Sequence, residues 1–577
     1  MKNVAILFAG GIGKRMNISD IPKQFLEVDG KPILVYTIEI FQKHVDIDGI
    51  IVVCVSNWIE RTNKLIHQYG LTKVKKVIAG GATGHESRLI GLRCAKKYYN
   101  NAVVLIHDGV RPLINADTIS QSINCTLKYG SAVVCSPAIE TIYHEDGNVS
   151  TIIPREQCSL MRAPQCFYLT EILSLYEKAS SEGYNDIIDS VTLMQMFGKN
   201  VPKVIGPAEN IKITTPLDFY MFEGIMKNRK KKEKREQQKM ILNEDIKWIT
   251  EDHNINWNKL NNAKVLVTGA TGLIGSLCIR TLLSLDIPVQ VYALVRDRSR
   301  AECIFGDKVN YVIGDVRNPI DSDFIADFII HCASNTKSKM MIEEPIDTID
   351  ISINGTMNIL RYAKKSKTKS IVYISSMEAY GITERYQNPV TEEKLGYIDL
   401  SLARSSYSEG KRASECLCSA FYHQCKLPVK IVRLALTMGA GISISDNRVS
   451  MQFAKSVING TDIVLHTEGK TLSNFCYTSD SIRGIFTVLL NGIDGETYNV
   501  CNDIETRSIR KIAELVAEKV AGGAIQVVYD IPKSNSFGYA PDVTLRLSSK
   551  KLMSLGWTPK IDLECAYNRL IQYIKGE

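Results

Sequence analysis

Short apolar runs alternate with amphipathic segments of helical length along most of this chain. The runs that predict strands are VAILFA, GIIVVCVS, AVVLIHD, SAVVCSP, KVLVT, PVQVYALV, DFIIHCA, SIVYISS and VKIVRLA. Between them, segments such as residues 116–129 and 355–365 have the length of helices. This alternation predicts an α/β protein with two parallel, doubly wound sheets.

The chain twice combines a strand with a glycine-rich turn, at residues 4–16 and 264–276. A strand that runs into such a turn and then into a helical pattern is typical of a nucleotide-binding α/β domain. The length of 577 residues also favours two or more domains. We therefore predict two doubly wound, Rossmann-like domains at residues 1–226 and 263–577, joined by a basic helical linker at residues 227–262.

The net charge of +8 is concentrated in one segment. Residues 227–239 carry eight basic and two acidic side chains. We interpret this segment as a solvated helix between domains, with attachment to nucleic acid as the alternative. No apolar run reaches the roughly 18 residues that would cross a bilayer, and the fifteen cysteines form no C-x-x-C pair. We expect a cytoplasmic protein with reduced cysteines and no nucleic-acid or membrane partner.

The first half carries a series of motifs suited to binding phosphates. In AGGIGKRM, small residues let backbone N–H groups approach a triphosphate, and two basic side chains neutralise its charge. Such a turn alone is a weak signal, because many strands end in a tight glycine turn. The later motifs, in chain order, are Lys23 in PKQ, Gly81 and Ser87 in GGATGHES, Asp108 and Arg111 in HDGVRP, Arg155 before APQ, and Lys212 in NIKIT.

In this order the motifs resemble the 2-C-methylerythritol-4-phosphate and ribitol-5-phosphate cytidylyltransferase family over about residues 1–225. The resemblance implies a nucleotidyltransferase that binds CTP with Mg²⁺. The substrate-binding residues that it implies are Ala9, Gly10, Gly11, Gly13, Gly81, Ser87, Asp108, Arg111 and Arg155. It implies Arg15, Lys23 and Lys212 as the catalytic residues, and the run DGVR favours its polyol-phosphate branch. Fixed cations suit this chemistry, because the two phosphate-bearing reactants repel each other.

The second half combines a different glycine turn with a Tyr-x-x-x-Lys pattern. TGATGLIG follows a strand and has glycines at the spacing that admits a pyrophosphate at a helix N-terminus. Tyr407 and Lys411 lie one helical turn apart, so we expect the ammonium group to lower the pKa of the phenol. Ser376, at the end of the SIVYISS strand, is the expected hydrogen-bond partner of a substrate oxygen.

These features resemble the extended short-chain dehydrogenase/reductase family, which includes sugar-nucleotide epimerases and dehydratases, over about residues 263–577. The resemblance implies Ser376, Tyr407 and Lys411 as catalytic residues. It implies that the cofactor lies against Gly269, Gly272, Leu273, Ile274, Gly275, Arg296, Asp315, Val316, Tyr407 and Lys411. Arginine at position 296 favours the 2′-phosphate of NADP, whereas Asp297 leaves NAD open. Met377 argues against dehydration, and Glu378 is either an acid or base in another step or a structural carboxylate.

Together the two resemblances imply successive steps on one metabolite. The leading hypothesis is reduction of a ketose phosphate followed by formation of a CDP-alditol resembling CDP-ribitol, for a capsule or cell-wall polymer. The alternative is that the second domain acts on a CDP-linked sugar. A third hypothesis is that one half is a scaffold, or that the basic linker binds a polyanion. We expect a homodimer acting on small molecules, with no metal held by the protein alone.

Overall fold

The computed structural model describes residues 1–11, 21–146, 149–320, 324–532 and 544–575. The chain divides into two compact units, Met1–Arg229 and Lys230–Glu577. Each unit contains one seven-stranded sheet covered by helices. The predicted fold class, α/β with two doubly wound domains, is confirmed.

The first unit begins with a strand and ends within a long helix. Its strands are β1 (Lys2–Ala9), β2 (Glu27–Val28), β3 (Lys31–Pro32), β4 (Gly49–Cys54), β5 (Val74–Ala79), β6 (Ala102–Asp108), β7 (Ser131–Pro137), β8 (Ile142–Asp146), β9 (Val149–Ile153), β10 (Ser159–Tyr168) and β11 (Lys203–Ile205). Its helices are α1 (Ile33–Lys43), α2 (Ile59–Gln68), α3 (Gly84–Tyr98), α4 (Ala116–Tyr129), α5 (Leu169–Ser181), α6 (Ser190–Met196) and the first part of α7 (Pro216–Thr250).

The sheet of the first unit has the strand order β11-β7-β10-β6-β1-β4-β5. Its strands are parallel except β10, which runs antiparallel to both neighbours, so the expectation of a wholly parallel sheet is wrong here. Apolar side chains fill both faces, and every residue of β4 is buried. Because β1, β4, β5 and β6 are parallel, their carboxyl ends lie at one edge, where the predicted motifs follow them.

The second unit repeats the α/β alternation with a longer tail. Its strands are β12 (Ala263–Thr268), β13 (Val289–Val295), β14 (Asn310–Ile313), β15 (Phe328–His331), β16 (Ser370–Ser376), β17 (Val429–Leu434), β18 (Leu436–Met438), β19 (Ile463–Leu465), β20 (Leu472–Ser473), β21 (Phe475–Tyr477), β22 (Thr497–Val500), β23 (Arg507–Ser508) and β24 (Val527–Tyr529). Its helices are α8 (Leu273–Leu283), α9 (Arg298–Phe305), α10 (Ser338–Glu343), α11 (Pro345–Ser366), α12 (Ser405–Cys425), α13 (Val449–Asn459), α14 (Thr478–Asn491), α15 (Ile509–Leu515), α16 (Lys550–Met553) and α17 (Leu563–Lys575).

The sheet of the second unit is parallel throughout, in the order β14-β13-β12-β15-β16-β17-β22. The order reverses at β12, so a crevice opens between the loops after β12 and β15. The glycine turn follows β12 directly, at the place where open α/β sheets bind ligands. A separate apolar core, built by α13, α15 and α17 among others, supports the C-terminal segments.

Helix α7 contains the basic segment and ends inside the second unit. The charged side chains of residues 227–239 are exposed. Further along, the Tyr477 hydroxyl donates to Asp245 Oδ2 at 2.7 Å, in a buried contact. Just after α7, Asp252 accepts a hydrogen bond from Arg483, whose side chain is 1% exposed. The last turns of the helix and the following residues are therefore held by buried charges.

The cysteines are free thiols, and seven of the fifteen are buried. The expectation that the cysteines are reduced in the cell stays a prediction. Within the described ranges, no helix combines the length and apolarity needed to cross a membrane.

Candidate active sites

The first phosphate-binding motif follows β1 at the carboxyl edge of the sheet. A Cβ atom added at Gly11 would lie 3.4 Å from Lys23 Cε, so the lysine chain passes directly over the turn. The Gln24 side chain, which is buried, donates to the Ala9 carbonyl at 2.7 Å and ties the two segments together. Ala9, Gly10, Gly11 and Lys23 thus lie at one place. Gly13 and Arg15 lie outside the described residues.

The turn between β5 and α3 brings Gly81 and Ser87 together. The Gly81 N–H donates to Ser87 Oγ at 3.1 Å, and the same hydroxyl donates to the Thr83 carbonyl at 2.9 Å. A Cβ atom at Gly81 would lie 2.3 Å from Glu86 Cγ, so a larger residue would displace that side chain. The Glu86 carboxylate accepts from Ala82 N–H at 2.7 Å and holds the turn in place.

Asp108, at the end of β6, joins two of the predicted cations. Lys212 Nζ lies 2.7 Å from its Oδ1, and Arg111 Nε lies 2.8 Å from its Oδ2. Burial alone would raise the pKa of Asp108, but the positive charges of Lys212 and Arg111 outweigh it and hold the pKa well below its usual range. The group carries two positive charges and one negative charge, which suits an incoming phosphate.

The loop that carries Lys212 is fixed at both of its ends. Arg111 Nη1 donates to the Asn210 carbonyl at 2.8 Å, and the buried Asn210 side chain donates to the Ala163 carbonyl at 2.7 Å. On the other side, Asp218 accepts from the N–H and hydroxyl groups of both Thr214 and Thr215, at 2.7–2.9 Å. Sequence reasoning missed Asp218, although its place three residues after a Thr-Thr pair is typical of a helix N-terminus.

Two arginines on the β9–β10 segment have different surroundings. Arg155 is exposed and its Nε lies 3.2 Å from Glu156, and no contact among the described residues joins it to Asp108. Arg162 is half-buried, and its Nε donates to Ser136 Oγ at 3.0 Å. Sequence reasoning selected Arg155 and missed Arg162. The signal for Arg162 was its position immediately before the APQ motif.

The glycine turn after β12 leaves no room for side chains. Gly269 has φ +62°, and a Cβ atom there would lie 2.8 Å from the backbone nitrogen of Ala333. A Cβ atom at Gly275 would lie 2.3 Å from the Gly269 carbonyl oxygen, and one at Gly272 would lie 3.2 Å from it. The turn leads into α8, which begins with Leu273 and Ile274. This cradle fits a dinucleotide pyrophosphate.

The end of β13 places Arg296 beside Asp315, 3.8 Å between Nη1 and Oδ2. The hydrogen bond from Arg317 and its charge hold the pKa of Asp315 below its usual value despite partial burial. Asp297 accepts from the backbone N–H of Arg300 at 3.1 Å and caps α9. Val316 is buried next to this acidic group. Arg296, Asp315 and Val316 thus lie together at the next strand ends.

The Tyr-x-x-x-Lys pair lies on α12, and its electrostatics differ from the expectation. Burial, together with the negative charge of Glu378, raises the pKa of Tyr407 to about 12, although Ser376 acts in the opposite direction. Burial lowers the pKa of Lys411 to about 8. The expectation that Lys411 lowers the pKa of the phenol is therefore wrong for the protein alone. Lys411 Nζ donates to the Ile374 carbonyl at 2.8 Å and lies 5.7 Å from the centroid of the Tyr407 ring.

Glu378 adds a carboxylate beside this pair. Its backbone N–H donates to Ser376 Oγ at 3.2 Å, and its Oε1 accepts from Arg404 Nη2 at 2.8 Å. Its charge acts on the Tyr407 phenol, as the raised pKa shows. Sequence reasoning missed Arg404, because it lies 26 residues from Glu378 in the chain and only the fold brings the two side chains together. Among the described residues, no group of three or more His, Cys, Asp or Glu side chains could hold a metal ion.

Two known families match the chain. Residues 3–228 match the family described as IspD, 2-C-methyl-D-erythritol 4-phosphate cytidylyltransferase. Residues 265–501 match the NAD dependent epimerase/dehydratase family. Both resemblances found in the sequence are thereby confirmed, in the same order along the chain.

Curated relatives cover the first unit. The ribitol-5-phosphate cytidylyltransferase of Streptococcus agalactiae serotype V is 50% identical over 228 residues, which are 39% of this chain and 95% of that protein. The ribitol-5-phosphate cytidylyltransferase of Vibrio parahaemolyticus is 45% identical over 227 residues, with the same shares. Among solved structures, UDP-glucose 4-epimerase of Thermotoga maritima aligns with a TM-score of 0.47 and 20% identity, over 54% of this chain and 98% of that one.

Proposed function

This chain belongs to the IspD cytidylyltransferase family through its first unit, and from that premise we propose that it synthesises CDP-ribitol or a close CDP-alditol. Its second unit, of the NAD-dependent epimerase/dehydratase type, is proposed to supply the alditol phosphate by reduction. The observation that carries the proposal is the Asp108, Arg111 and Lys212 group in a unit that is 50% identical to a ribitol-5-phosphate cytidylyltransferase.

In the first reaction, a phosphate oxygen of the alditol phosphate attacks the α-phosphorus of CTP. The bond from that phosphorus to the oxygen bridging to the β-phosphate breaks, and pyrophosphate leaves. Gly10, Gly11 and Lys23 are proposed to bind the triphosphate, with Gly13 and Arg15. Arg111 and Lys212 are proposed to bind the attacking phosphate, and Asp108 to keep both cations in place. Mg²⁺ is proposed to accompany CTP and to neutralise the leaving pyrophosphate.

In the second reaction, NADPH held at the turn of Gly269, Gly272 and Gly275 would supply a hydride to the carbonyl carbon of a ketose phosphate. Ser376 is proposed to hold the carbonyl oxygen, and Tyr407 to donate the proton that converts the new alkoxide into a hydroxyl group. A pKa of about 12 keeps the phenol protonated at neutral pH, which suits a proton donor. Lys411 is proposed to orient the cofactor and to replace the lost proton.

Two observations support NADP over NAD. The Arg296 side chain is 72% exposed at the end of β13, where a ribose 2′-substituent is expected. Asp297, the carboxylate that would bind a free 2′-hydroxyl, is already used as the cap of α9. Asp315 Oδ2 lies 3.8 Å from Arg296 Nη1, beyond hydrogen-bond distance, so the exposed guanidinium group suits a 2′-phosphate.

The alternative is a reductase or epimerase that acts on the CDP-linked sugar. It is favoured by the separate apolar core of the second unit, because that core supports an extended C-terminal region of the sugar-nucleotide type. In either case we propose a cytoplasmic homodimer in the supply of a capsule or cell-wall polymer, with no nucleic-acid or membrane partner.

Mass spectrometry of the products tests the order of the reactions. CTP, Mg²⁺ and a panel of ketose and alditol phosphates are incubated with and without NADPH. We expect ribitol 5-phosphate to give CDP-ribitol without NADPH, and ribulose 5-phosphate to give it only with NADPH. Formation of a CDP-ketose without NADPH, followed by its conversion, would establish the alternative. Tyr407→Phe should stop only the reduction, and Lys212→Met only the cytidylyl transfer.

A further inference from the structure

Arg162 lies in an irregular stretch of β10, beside the predicted acceptor site. The register between β10 and β7 shifts between Met161 and Gln165, so Arg162 is outside the regular ladder. Its Nε donates to Ser136 Oγ at 3.0 Å, which fixes the stem of the guanidinium group. Among the described residues, neither terminal nitrogen of this guanidinium group has a hydrogen-bond partner.

The backbone next to Arg162 is tied to the Asp108 group. Ala163, the following residue, accepts from the buried Asn210 side chain at 2.7 Å. The Asn210 carbonyl in turn accepts from Arg111 at 2.8 Å. Two hydrogen bonds therefore connect β10 with the guanidinium group of Arg111. Burial, and then the positive charge of Arg111, lower the pKa of Arg162, which places the two cations near each other.

No carboxylate among the described residues pairs with Arg162. The carboxylate of Asp108 is already shared by Lys212 and Arg111. Arg111, Arg162 and Lys212 thus bring three positive charges against one negative charge. Like charges gathered without counter-charges are costly for a protein alone, and a dianionic ligand would remove that cost.

We propose that Arg162 binds the phosphate monoester of the acceptor, together with Arg111 and Lys212. This inference rests on the proposed cytidylyl transfer and names a specificity residue for it. The ligand class is a sugar or alditol phosphate whose terminal phosphate carries two negative charges. The planar guanidinium fork bonds two phosphate oxygens, and leaves a third free to attack CTP.

Steady-state kinetics of pyrophosphate release test the proposal. We expect Arg162→Met to raise the KM for ribitol 5-phosphate about ten- to a hundredfold, the effect of a lost charged hydrogen bond, with the KM for CTP unchanged. Arg162→Lys keeps the positive charge but loses the guanidinium fork. Its KM for ribitol 5-phosphate should therefore lie between that of the natural protein and that of Arg162→Met. The control is Arg93→Met. It removes an exposed arginine of α3 that pairs with Glu177 of α5, and it should change neither the KM for ribitol 5-phosphate nor the KM for CTP.

Ser136→Ala separates ligand binding from a purely structural role. It removes the hydroxyl that holds Arg162 but leaves the charge, so the KM for ribitol 5-phosphate should change only a few-fold. The inference would be overturned if Arg162→Met left the KM for ribitol 5-phosphate unchanged. It would also be overturned if Ser136→Ala raised this KM as much as Arg162→Met does. In both cases the proposed cytidylyl transfer would still stand. Absence of pyrophosphate release by the natural protein with every alditol phosphate would instead overturn the proposed function.

Discussion

Lys212 Nζ lies 2.7 Å from Asp108 Oδ1, although 104 positions separate the two residues in the chain. The same carboxylate accepts from Arg111 at 2.8 Å. One partly buried acid therefore fixes two cations, which are the residues proposed to bind the acceptor phosphate. The charges of Lys212 and Arg111 hold the pKa of Asp108 well below its usual range, so its carboxylate is ionised at neutral pH.

Asp108→Asn should lower kcat/KM for pyrophosphate formation about ten- to a hundredfold. The amide cannot balance two cations, and the loss of a charged hydrogen bond costs roughly 1.5–3 kcal/mol. Pyrophosphate release with ribitol 5-phosphate measures the change. Asp117→Asn is the matched control, because Asp117 is exposed and, within the described part of the chain, its side chain bonds to Gln121 on the same helix alone. Equal rates in the two variants would show that Asp108 does not organise the site.

Gly275→Ala should weaken the binding of NADPH by about tenfold or more. The new methyl group would lie 2.3 Å from the Gly269 carbonyl oxygen, so the turn must shift, and overpacking of this kind costs about 1–3 kcal/mol. Quenching of protein fluorescence by NADPH measures the affinity, and pyrophosphate release should stay unchanged. Gly224→Ala, at a position with open space on α7, is the control. Normal NADPH affinity in Gly275→Ala would argue against the cofactor site.

Lys411 should make the stability of the second unit depend on pH. Its folded-state pKa of about 8 lies below the ordinary 10.5, because burial disfavours the charged form. The unfolded chain then binds more protons between about pH 8 and 10.5, so stability should rise with pH in this window, by about 3 kcal/mol in total. Urea unfolding at several pH values, compared with Lys411→Met, isolates this slope.

The control for the pH dependence is Lys364→Met, which removes an exposed lysine of α11. This variant should keep the slope that Lys411→Met loses. If the natural protein and Lys411→Met had the same slope, the ammonium group would not be buried in solution.

Asp252→Asn should destabilise the second unit by about 3 kcal/mol. The change leaves the guanidinium group of Arg483, 1% exposed, without one of its two carboxylates, and breaking a buried ion pair typically costs about 3–5 kcal/mol. Denaturant unfolding measures the loss, while cytidylyl transfer should be unaffected. Glu251→Gln, at the exposed neighbouring position, should be neutral. If Asp252→Asn left the free energy of unfolding unchanged, the ion pair between Asp252 and Arg483 would be solvated rather than buried.

The main strands were predictable from the sequence because both faces of each sheet are covered. The predicted runs AVVLIHD and SIVYISS coincide with β6 and β16 to the residue, since continuous apolar segments are what a doubly covered strand requires. Strand β10 (SLMRAPQCFY) was not among the predicted strands, because Arg162, Pro164 and Gln165 interrupt its apolar residues, so its reversed direction was not predicted either. The domain limits at 226 and 263 and the roles of the site residues stay predictions.

Site residues were predictable where their motifs follow parallel strands, because the carboxyl ends of those strands lie at one edge of the sheet. Spacing alone placed Tyr407 and Lys411 on one face of α12, but it could not show how deeply the phenol is buried, and burial determines its pKa. Arg162 was missed for a related reason, since its environment depends on Asn210 and Arg111, which are distant in the chain. The APQ motif marks the position of Arg162, but no local pattern shows which distant residues surround its side chain.

Helix α7 has a practical consequence for separating the two enzymes. Its first turn carries Asp218, which holds the Lys212 loop, and its last turns carry Asp245, which bonds to Tyr477. A cut after residue 250 would therefore take the buried carboxylate of Asp245 away from the second enzyme, and a cut before residue 216 would release the Lys212 loop of the first. Recombinant halves should be divided within the exposed basic segment, where only solvated side chains are lost.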